Sequence, residues 1–148
     1  SYHFAGKDEL ISAVAEQVIA WMGEYMEQRV SAETSAAGML RAYIEGIVAF
    51  TVTHRARMKA LLEIFLAGAL QRDADAEQTA VSHVEAILRQ GQADGEFREF
   101  DPRVMATVVQ RAVEGLPFLL ESVPDLDRAA YGRELVTLFE LGTRLGPA

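Results

Sequence analysis

Cysteine is absent from the 148 residues of the chain, which excludes disulfides and thiolate-bound metals. Histidine is scarce, and His3, His54 and His83 lie on three separate segments. None of them has a Glu or His three or four residues away, the spacing that zinc and di-iron sites use in helical proteins. A glycine-rich phosphate loop and a Gly-x-Ser-x-Gly motif are also missing. The sequence therefore predicts no metal, no cofactor and no enzymatic activity.

Basic residues are few, with 14 Lys and Arg against 22 Asp and Glu, so the net charge is −8. A domain that grips phosphate backbones carries a basic face, because charge neutralisation supplies most of the affinity for DNA. The chain by itself is therefore predicted to bind nucleic acid poorly. No apolar run approaches the ~18 residues that span a bilayer, and no signal peptide is visible. We expect a cytoplasmic protein without a membrane partner.

Apolar residues recur at steps of three and four along the whole chain, and no segment shows the alternation of a strand. The pattern predicts six helical stretches in one all-α domain. The first runs from Asp8 to about Ser31, after a tight turn in which Gly6 takes the left-handed conformation. The next segment covers about 36–70, either as one helix or as two with a break at His54-Arg55.

Three further stretches complete the chain. One stops at Gly91, where the apolar pattern ends. The next covers about 102–121, because Asp101-Pro102 reads as an N-cap followed by proline at the first helical position. Pro117 falls inside this pattern and predicts a kink or an early end, since proline cannot donate the helical hydrogen bond. The last stretch covers about 127–144.

The stretch over 102–121 is apolar around most of its circumference, so it must be buried on most sides. Its apolar residues are Val108, Val109, Ala112, Val113, Leu116, Leu119 and Leu120. Two arrangements satisfy this requirement. The last two helices are either central in the domain, or they pair with a second copy as four helices around a two-fold axis.

Large and partly amphipathic side chains form stripes on the first three helices. They are Trp21, Met22, Tyr25 and Met26 on the first, Tyr43, Ile47, Phe50 and His54 on the second, and Met58, Leu62 and Phe65 on the third. Such residues line small-molecule cavities between helices. The same spacing is equally typical of a plain core, so a ligand site and a filled interior remain alternative interpretations.

The opening Tyr2-His3-Phe4-Ala5-Gly6-Lys7-Asp8-Glu9-Leu10 resembles the end of the DNA-binding region in TetR-family transcriptional regulators. In that family the recognition helix of a helix-turn-helix ends in an aromatic-His-Phe step. A short turn with Lys follows, and Glu/Asp-Leu then begins a long connecting helix. The rest of the chain is similar to the family in architecture, including a polar loop of the Gly-Glu-Phe-x-x-x-Asp-Pro kind and two apolar terminal helices.

The resemblance implies a division of the chain into a remnant of the helix-turn-helix domain, 1–7, and an effector-binding and dimerisation domain, 8–148. It implies that most of the helix-turn-helix region lies ahead of Ser1. It assigns the DNA contacts to Tyr2, His3 and Lys7, and the dimer's four-helix bundle to the last two helices. The aromatic and methionine stripes would then enclose the ligand.

The function implied by the resemblance is that of a ligand-responsive transcriptional repressor. It would bind operator DNA as a homodimer and be released by a small hydrophobic or aromatic effector, which shifts the long first helix. The alternative is a free-standing all-α module for small-molecule binding or dimerisation with no DNA role. The residues alone leave both open.

Overall fold

The computed structural model describes residues 2–66 and 73–147, and for residues 2–5, 8, 65 and 73–77 it describes the backbone alone. Within these ranges the fold is helical throughout, which confirms the all-α prediction. The helices are α1 (Tyr2–Ser31), α2 (Ala36–Thr53), α3 (Arg55–Leu66), α4 (Asp73–Ala93), α5 (Pro102–Glu114), α6 (Leu116–Ser122) and α7 (Arg128–Thr143).

The predicted turn at Gly6 is wrong, because α1 runs unbroken from Tyr2 to Ser31. One glycine in a helix costs only about 1 kcal/mol relative to alanine, which a helix of 30 residues readily tolerates. Among the described glycines, it is Gly95, in the turn after α4, that takes a left-handed conformation, with φ 75°. The division between residues 1–7 and 8–148 stays a prediction, and no break in the helix marks it.

The segment over 36–70 forms two helices, with the break at His54. The His54 backbone has φ −113° and ψ 41°, and its N–H donates to the Phe50 carbonyl at 2.9 Å as the last bond of α2. α3 then begins at Arg55. The predicted end of this segment, at about residue 70, lies outside the described residues.

The stop predicted at Gly91 is also wrong, since α4 continues to Ala93. Gly91 has a packing role instead: a Cβ atom placed there would lie 2.1 Å from Cδ2 of Phe97. Phe97 is 6% exposed, so its ring fills the space that the missing side chain leaves on α4. Gly91 therefore gives room to the Phe97 ring and does not end the helix.

The predictions around the two prolines hold. The Asp101 carboxylate caps α5 by accepting from the N–H groups of Arg103 and Val104 at 3.0 and 3.1 Å. The helix then breaks at Gly115, and α6 starts at Leu116, one residue before Pro117. The predicted stretch 102–121 is thus two helices, α5 and α6. For this reason the described residues contain α1 to α7 where the sequence predicted six stretches.

Helix α2 lies at the centre and contacts each of the other described helices. Leu40, Ile44 and Phe50 on this helix are at most 2% exposed. The expectation that no apolar run approaches the length of a membrane span is wrong for α2, which by length and composition would be able to cross one; half of it is buried inside the domain. A central core helix accounts for that composition. A smaller second core joins α1 to α3 through Ala15, Val18 and Leu61.

Candidate functional site

A row of aromatic rings joins α1 to the junction between α2 and α3. The His54 ring centroid lies 4.2 Å from that of Trp21 and 4.5 Å from that of Phe50. Trp21 also meets Phe50 edge-on at 5.4 Å, and Tyr25 lies 5.4 Å from Phe50 on the other side. Trp21 is 39% exposed and Phe50 is 2% exposed. The aromatic row, defined by these four residues, therefore leads from the surface into the core.

Two guanidinium groups stand over rings of the aromatic row. The Arg57 guanidinium carbon lies 5.0 Å from the Trp21 ring centroid, and that of Arg29 lies 4.4 Å from the Tyr25 ring centroid. Arginine is attracted to an aromatic face by the negative potential above the ring. The outer edge of the aromatic row is thus positively charged in a chain with an overall excess of carboxylates.

A buried polar chain connects α2 to the surface of α5. The Tyr43 hydroxyl donates to Oε1 of Gln110, whose side-chain amide donates to Glu114 at 2.9 Å. Arg111 holds the other oxygen of Glu114 at 2.8 Å. Burial, and secondarily the charge of Glu114, raises the pKa of Tyr43 well above its ordinary value, so the phenol remains a hydrogen-bond donor.

Thr51 carries a buried hydroxyl that has no hydrogen-bond partner among the described residues. It follows Phe50 on α2 and is 0% exposed. Threonine in a helix usually donates back to the carbonyl four residues earlier, so an unpaired hydroxyl is unusual. A buried polar atom left without a partner costs free energy, which a water molecule or a ligand group would recover.

The structure brings together many of the residues predicted to bind ligand, although their role stays a prediction. Trp21, Tyr25, Phe50 and His54 form the aromatic row. The other described members are buried or half-buried: Met26, Tyr43 and Ile47 are at most 8% exposed, Met22 packs against the main core, Met58 packs against the smaller core, and Leu62 is half-buried. The Phe65 side chain lies outside the described residues.

Sequence analysis missed the positions that give this site its polar chemistry. Arg57 is an ordinary exposed helix residue by pattern, and Thr51 sits inside an apolar stripe. Gln110 gives no sign in the sequence of whether it faces water or the interior. The role of each of these residues depends on which side chains surround it in the fold, and a single sequence does not show those neighbours.

A groove of about 680 Å³ opens elsewhere, between the end of α1 and the first half of α2. Its walls include the charged residues Arg29, Glu33, Arg41, Glu45 and Glu140. Arg41 and Glu140 are paired across it at 2.8 Å. None of the residues predicted to bind ligand lines this groove, so it is a different feature from the aromatic row.

The residues predicted to contact DNA lie at the start of α1. Lys7 is exposed on this helix, and the side chains of Tyr2 and His3 lie outside the described residues. Their role in DNA binding stays a prediction.

Helices α5, α6 and α7 and the segment that follows α7 expose a set of large apolar side chains. These are Val104, Val108, Phe118, Leu138, Leu141 and Leu145, each between 48% and 61% exposed. Val109, Val113, Leu116 and Leu120 on the other side are at most 1% exposed, so the stretch that is apolar all round is half central and half outward. One side of this stretch is thus central in the domain, and the pairing of the other side with a second copy stays a prediction.

A family model for the "Tetracyclin repressor-like, C-terminal domain" matches residues 35–140 of the 148 in the chain. The chain belongs to the TetR family. The match is to the C-terminal domain, which contains the central helix, the break at His54 and the last three helices. No curated protein matches the chain in sequence.

Solved structures share the fold of this TetR-family chain at low identity. A bacterial regulatory protein of the tetR family from Rhodococcus RHA1 has a TM-score of 0.81 at 15% identity, over 98% of this chain and 78% of its own. AibR, solved with isovaleryl coenzyme A and operator DNA, has 0.75 at 17% identity, over 93% and 76%. SmeT, solved with triclosan, has 0.72 at 16% identity, over 94% and 71%. The TetR-like fold prediction is confirmed.

TetR-family proteins are transcriptional regulators, generally without enzymatic activity. The chain is therefore a member of a family of transcriptional regulators. The structures of AibR and SmeT each contain a bound small molecule. The repressor role, the kind of effector, the homodimer and the absence of enzymatic activity in this chain stay predictions.

Proposed function

We propose that residues 8–148 form the effector-binding and dimerisation domain of a cytoplasmic repressor. It binds operator DNA as a homodimer and leaves it when a small hydrophobic or aromatic effector occupies the aromatic row. The domain itself has no enzymatic activity and needs no cofactor. The observation that carries this proposal is the unbroken helix α1, which bears Lys7 near one end and Trp21 and Tyr25 further along.

The mechanism follows from the stiffness of α1. Lys7 lies 14 residues before Trp21, and at 1.5 Å per residue the distance along the axis is about 21 Å. A ligand that enters between Trp21 and His54 pushes α1 away from α2. A rotation of about 5° at the row moves the start of α1 by about 2 Å, the size of helix shifts that switch regulatory proteins.

The homodimer is supported by the exposed apolar side chains of α5 to α7. Burial of these side chains against a partner would be favourable, because exposed apolar area gains free energy when it leaves water. A two-fold axis lets the same surface cover itself, so one set of residues serves both subunits. The Tyr131 hydroxyl ties α7 to α5 by donating to the Ala112 carbonyl at 3.2 Å, which fixes the two helices relative to each other.

The relatives of similar fold make an apolar effector a reasonable expectation. AibR was solved with isovaleryl coenzyme A and SmeT with triclosan, and both ligands have an apolar part. The aromatic row offers such a group large rings in a half-exposed setting. Small hydrophobic or aromatic molecules are therefore the first compounds to screen.

The test uses the full-length regulator and DNA from upstream of its own gene. Compounds that raise the melting temperature are selected first, because ligands that bind only the folded state stabilise it. Fluorescence anisotropy then measures the affinity for the DNA fragment with and without a saturating compound. We expect the affinity to fall about tenfold or more, a coupling of about 1.4 kcal/mol. An unchanged affinity would remove the proposed mechanism, and no DNA binding at all would favour the free-standing module.

A further inference from the structure

The segment His54-Arg55-Ala56-Arg57-Met58-Lys59 concentrates positive charge in an acidic chain. It holds three of the 14 Lys and Arg residues within five positions, in a chain of net charge −8. The first turn of α3 contains no acidic residue. Cations in the first turn lie at the positive end of the helix dipole, which is locally unfavourable. The stability of α3 alone therefore does not account for these residues.

Two of the three cations make contacts within the fold. The Arg55 guanidinium donates to the Leu120 carbonyl at 2.6 Å and lies 3.2 Å from the Glu121 carboxylate. The Lys59 ammonium lies 3.6 Å from the other oxygen of the same carboxylate. These contacts tie α3 to the end of α6. Arg55 and Lys59 thus have a structural explanation.

Arg57 is directed toward α1 and has no such explanation. It is exposed, and its guanidinium stands over the Trp21 ring at 5.0 Å. Among the described residues no carboxylate lies within ion-pair distance of it. An exposed cation–π contact contributes little to stability. The contact with the Trp21 ring face positions the guanidinium of Arg57 and leaves its N–H groups without an acceptor in that contact. The five N–H donors of Arg57 remain available to an acceptor.

The order of groups along the aromatic row matches an amphipathic anion. The Arg57 guanidinium lies at the outer end, 5.0 Å from the Trp21 ring centroid. The Trp21 ring in turn contacts His54 at 4.2 Å and Phe50 at 5.4 Å. The outer end is a free cation and the inner end is a fully buried ring. An apolar group lying along the rings places an attached anion at the guanidinium, where charge-assisted hydrogen bonds form.

We infer that the effector is an organic anion whose apolar part lies along the aromatic row and whose carboxylate or phosphate accepts hydrogen bonds from Arg57. This inference rests on the effector site of the proposed function. It makes Arg57 the residue that selects an anion over a neutral molecule of the same shape.

The chain supplies its own reporter, because Trp21 is its single tryptophan and lies in the row. Probes are phenylacetate and octanoate, their coenzyme A thioesters, and the neutral phenylacetamide and octanamide. Each is titrated against the 148-residue chain while Trp21 fluorescence is followed. The variants are Arg57→Gln and, as a matched control, Arg133→Gln, an exposed arginine of α7 with no ion pair within the described part of the chain.

At least one anion is expected to bind about tenfold tighter than its amide, as a charge-assisted contact does. Arg57→Gln removes this preference and Arg133→Gln keeps it. Binding of the free acid identifies a carboxylate, and binding of the thioester alone identifies the phosphates of coenzyme A. The inference is overturned if amides bind as well as anions, if Arg57→Gln changes nothing, or if no anion alters the fluorescence.

The two proposals fail separately. If ligands still release the full-length protein from DNA while Arg57→Gln leaves their affinities unchanged, the charge selection is wrong and the regulator stands. If the anion preference depends on Arg57 but no anion alters DNA binding, the site is correct and the regulatory proposal fails.

Discussion

Replacing Thr51 by valine should stabilise the protein in the absence of ligand. The hydroxyl is fully buried and has no partner among the described residues, while valine keeps the shape of the side chain. An unsatisfied buried polar group costs about 1–3 kcal/mol, so we expect Thr51→Val to raise the free energy of unfolding by about 1 kcal/mol. For a chain of this size the melting temperature rises by about 3 °C.

The matched control is Thr143→Val, the same change at a second buried threonine. The Thr143 hydroxyl donates to the Phe139 carbonyl at 2.6 Å, and the residue is 2% exposed. Losing that hydrogen bond should lower the free energy of unfolding by about 1 kcal/mol. Urea denaturation of both variants, followed by circular dichroism, gives the difference. If Thr51→Val is as destabilising as Thr143→Val, the Thr51 hydroxyl has a partner and the reasoning is refuted.

Three further predictions concern the core, the polar chain and the apolar surface. Because the pKa of Tyr43 is raised, the folded state keeps a proton that the unfolded chain loses above pH 10. The contribution of Tyr43 to the free energy of unfolding is therefore present below pH 10 and falls above it by about 1.4 kcal/mol per pH unit. Tyr43→Phe should remove this contribution to the pH dependence, measured by denaturation at pH 9 to 11. Gly91→Ala should cost about 3 kcal/mol in the same assay, because its Cβ would lie 2.1 Å from the Phe97 ring, whereas Gly142→Ala, with open space around it, should not destabilise. Leu138→Glu, at a side chain that is 61% exposed, should give a folded monomer in analytical ultracentrifugation if the homodimer proposal is correct; a dimer would contradict it.

Local chemistry made part of the fold predictable from sequence. Asp101 and Pro102 define the start of α5 because a cap and a fixed φ act within one turn of the chain. Glycine was less informative, since the same residue permits a turn, a helix interior or a close contact. Gly6 lies inside a helix and Gly91 makes room for a ring, and neither outcome is visible in the local sequence.

The candidate site was predictable as a set of residues and not as an arrangement. Helical spacing placed Trp21 and Phe50 on the stripes of two different helices, and the structure brings their rings to 5.4 Å. Periodicity does not reveal that the His54 ring contacts both of them, because the apolar pattern continues through the break. The charge selection proposed for Arg57 and the unpaired hydroxyl of Thr51 depend on neighbours distant in sequence.

The central claim is that an effector in the aromatic row moves the start of α1. Since the chain has no cysteine, Glu9→Cys introduces a single exposed site for a spin label, and a homodimer of the full-length protein then carries two labels if no other cysteine is present. Double electron–electron resonance measures the distance between them with and without a saturating effector. The account predicts that this distance changes by about 2–4 Å when the effector binds. An unchanged distance, with the same effector lowering the affinity for DNA, would contradict it.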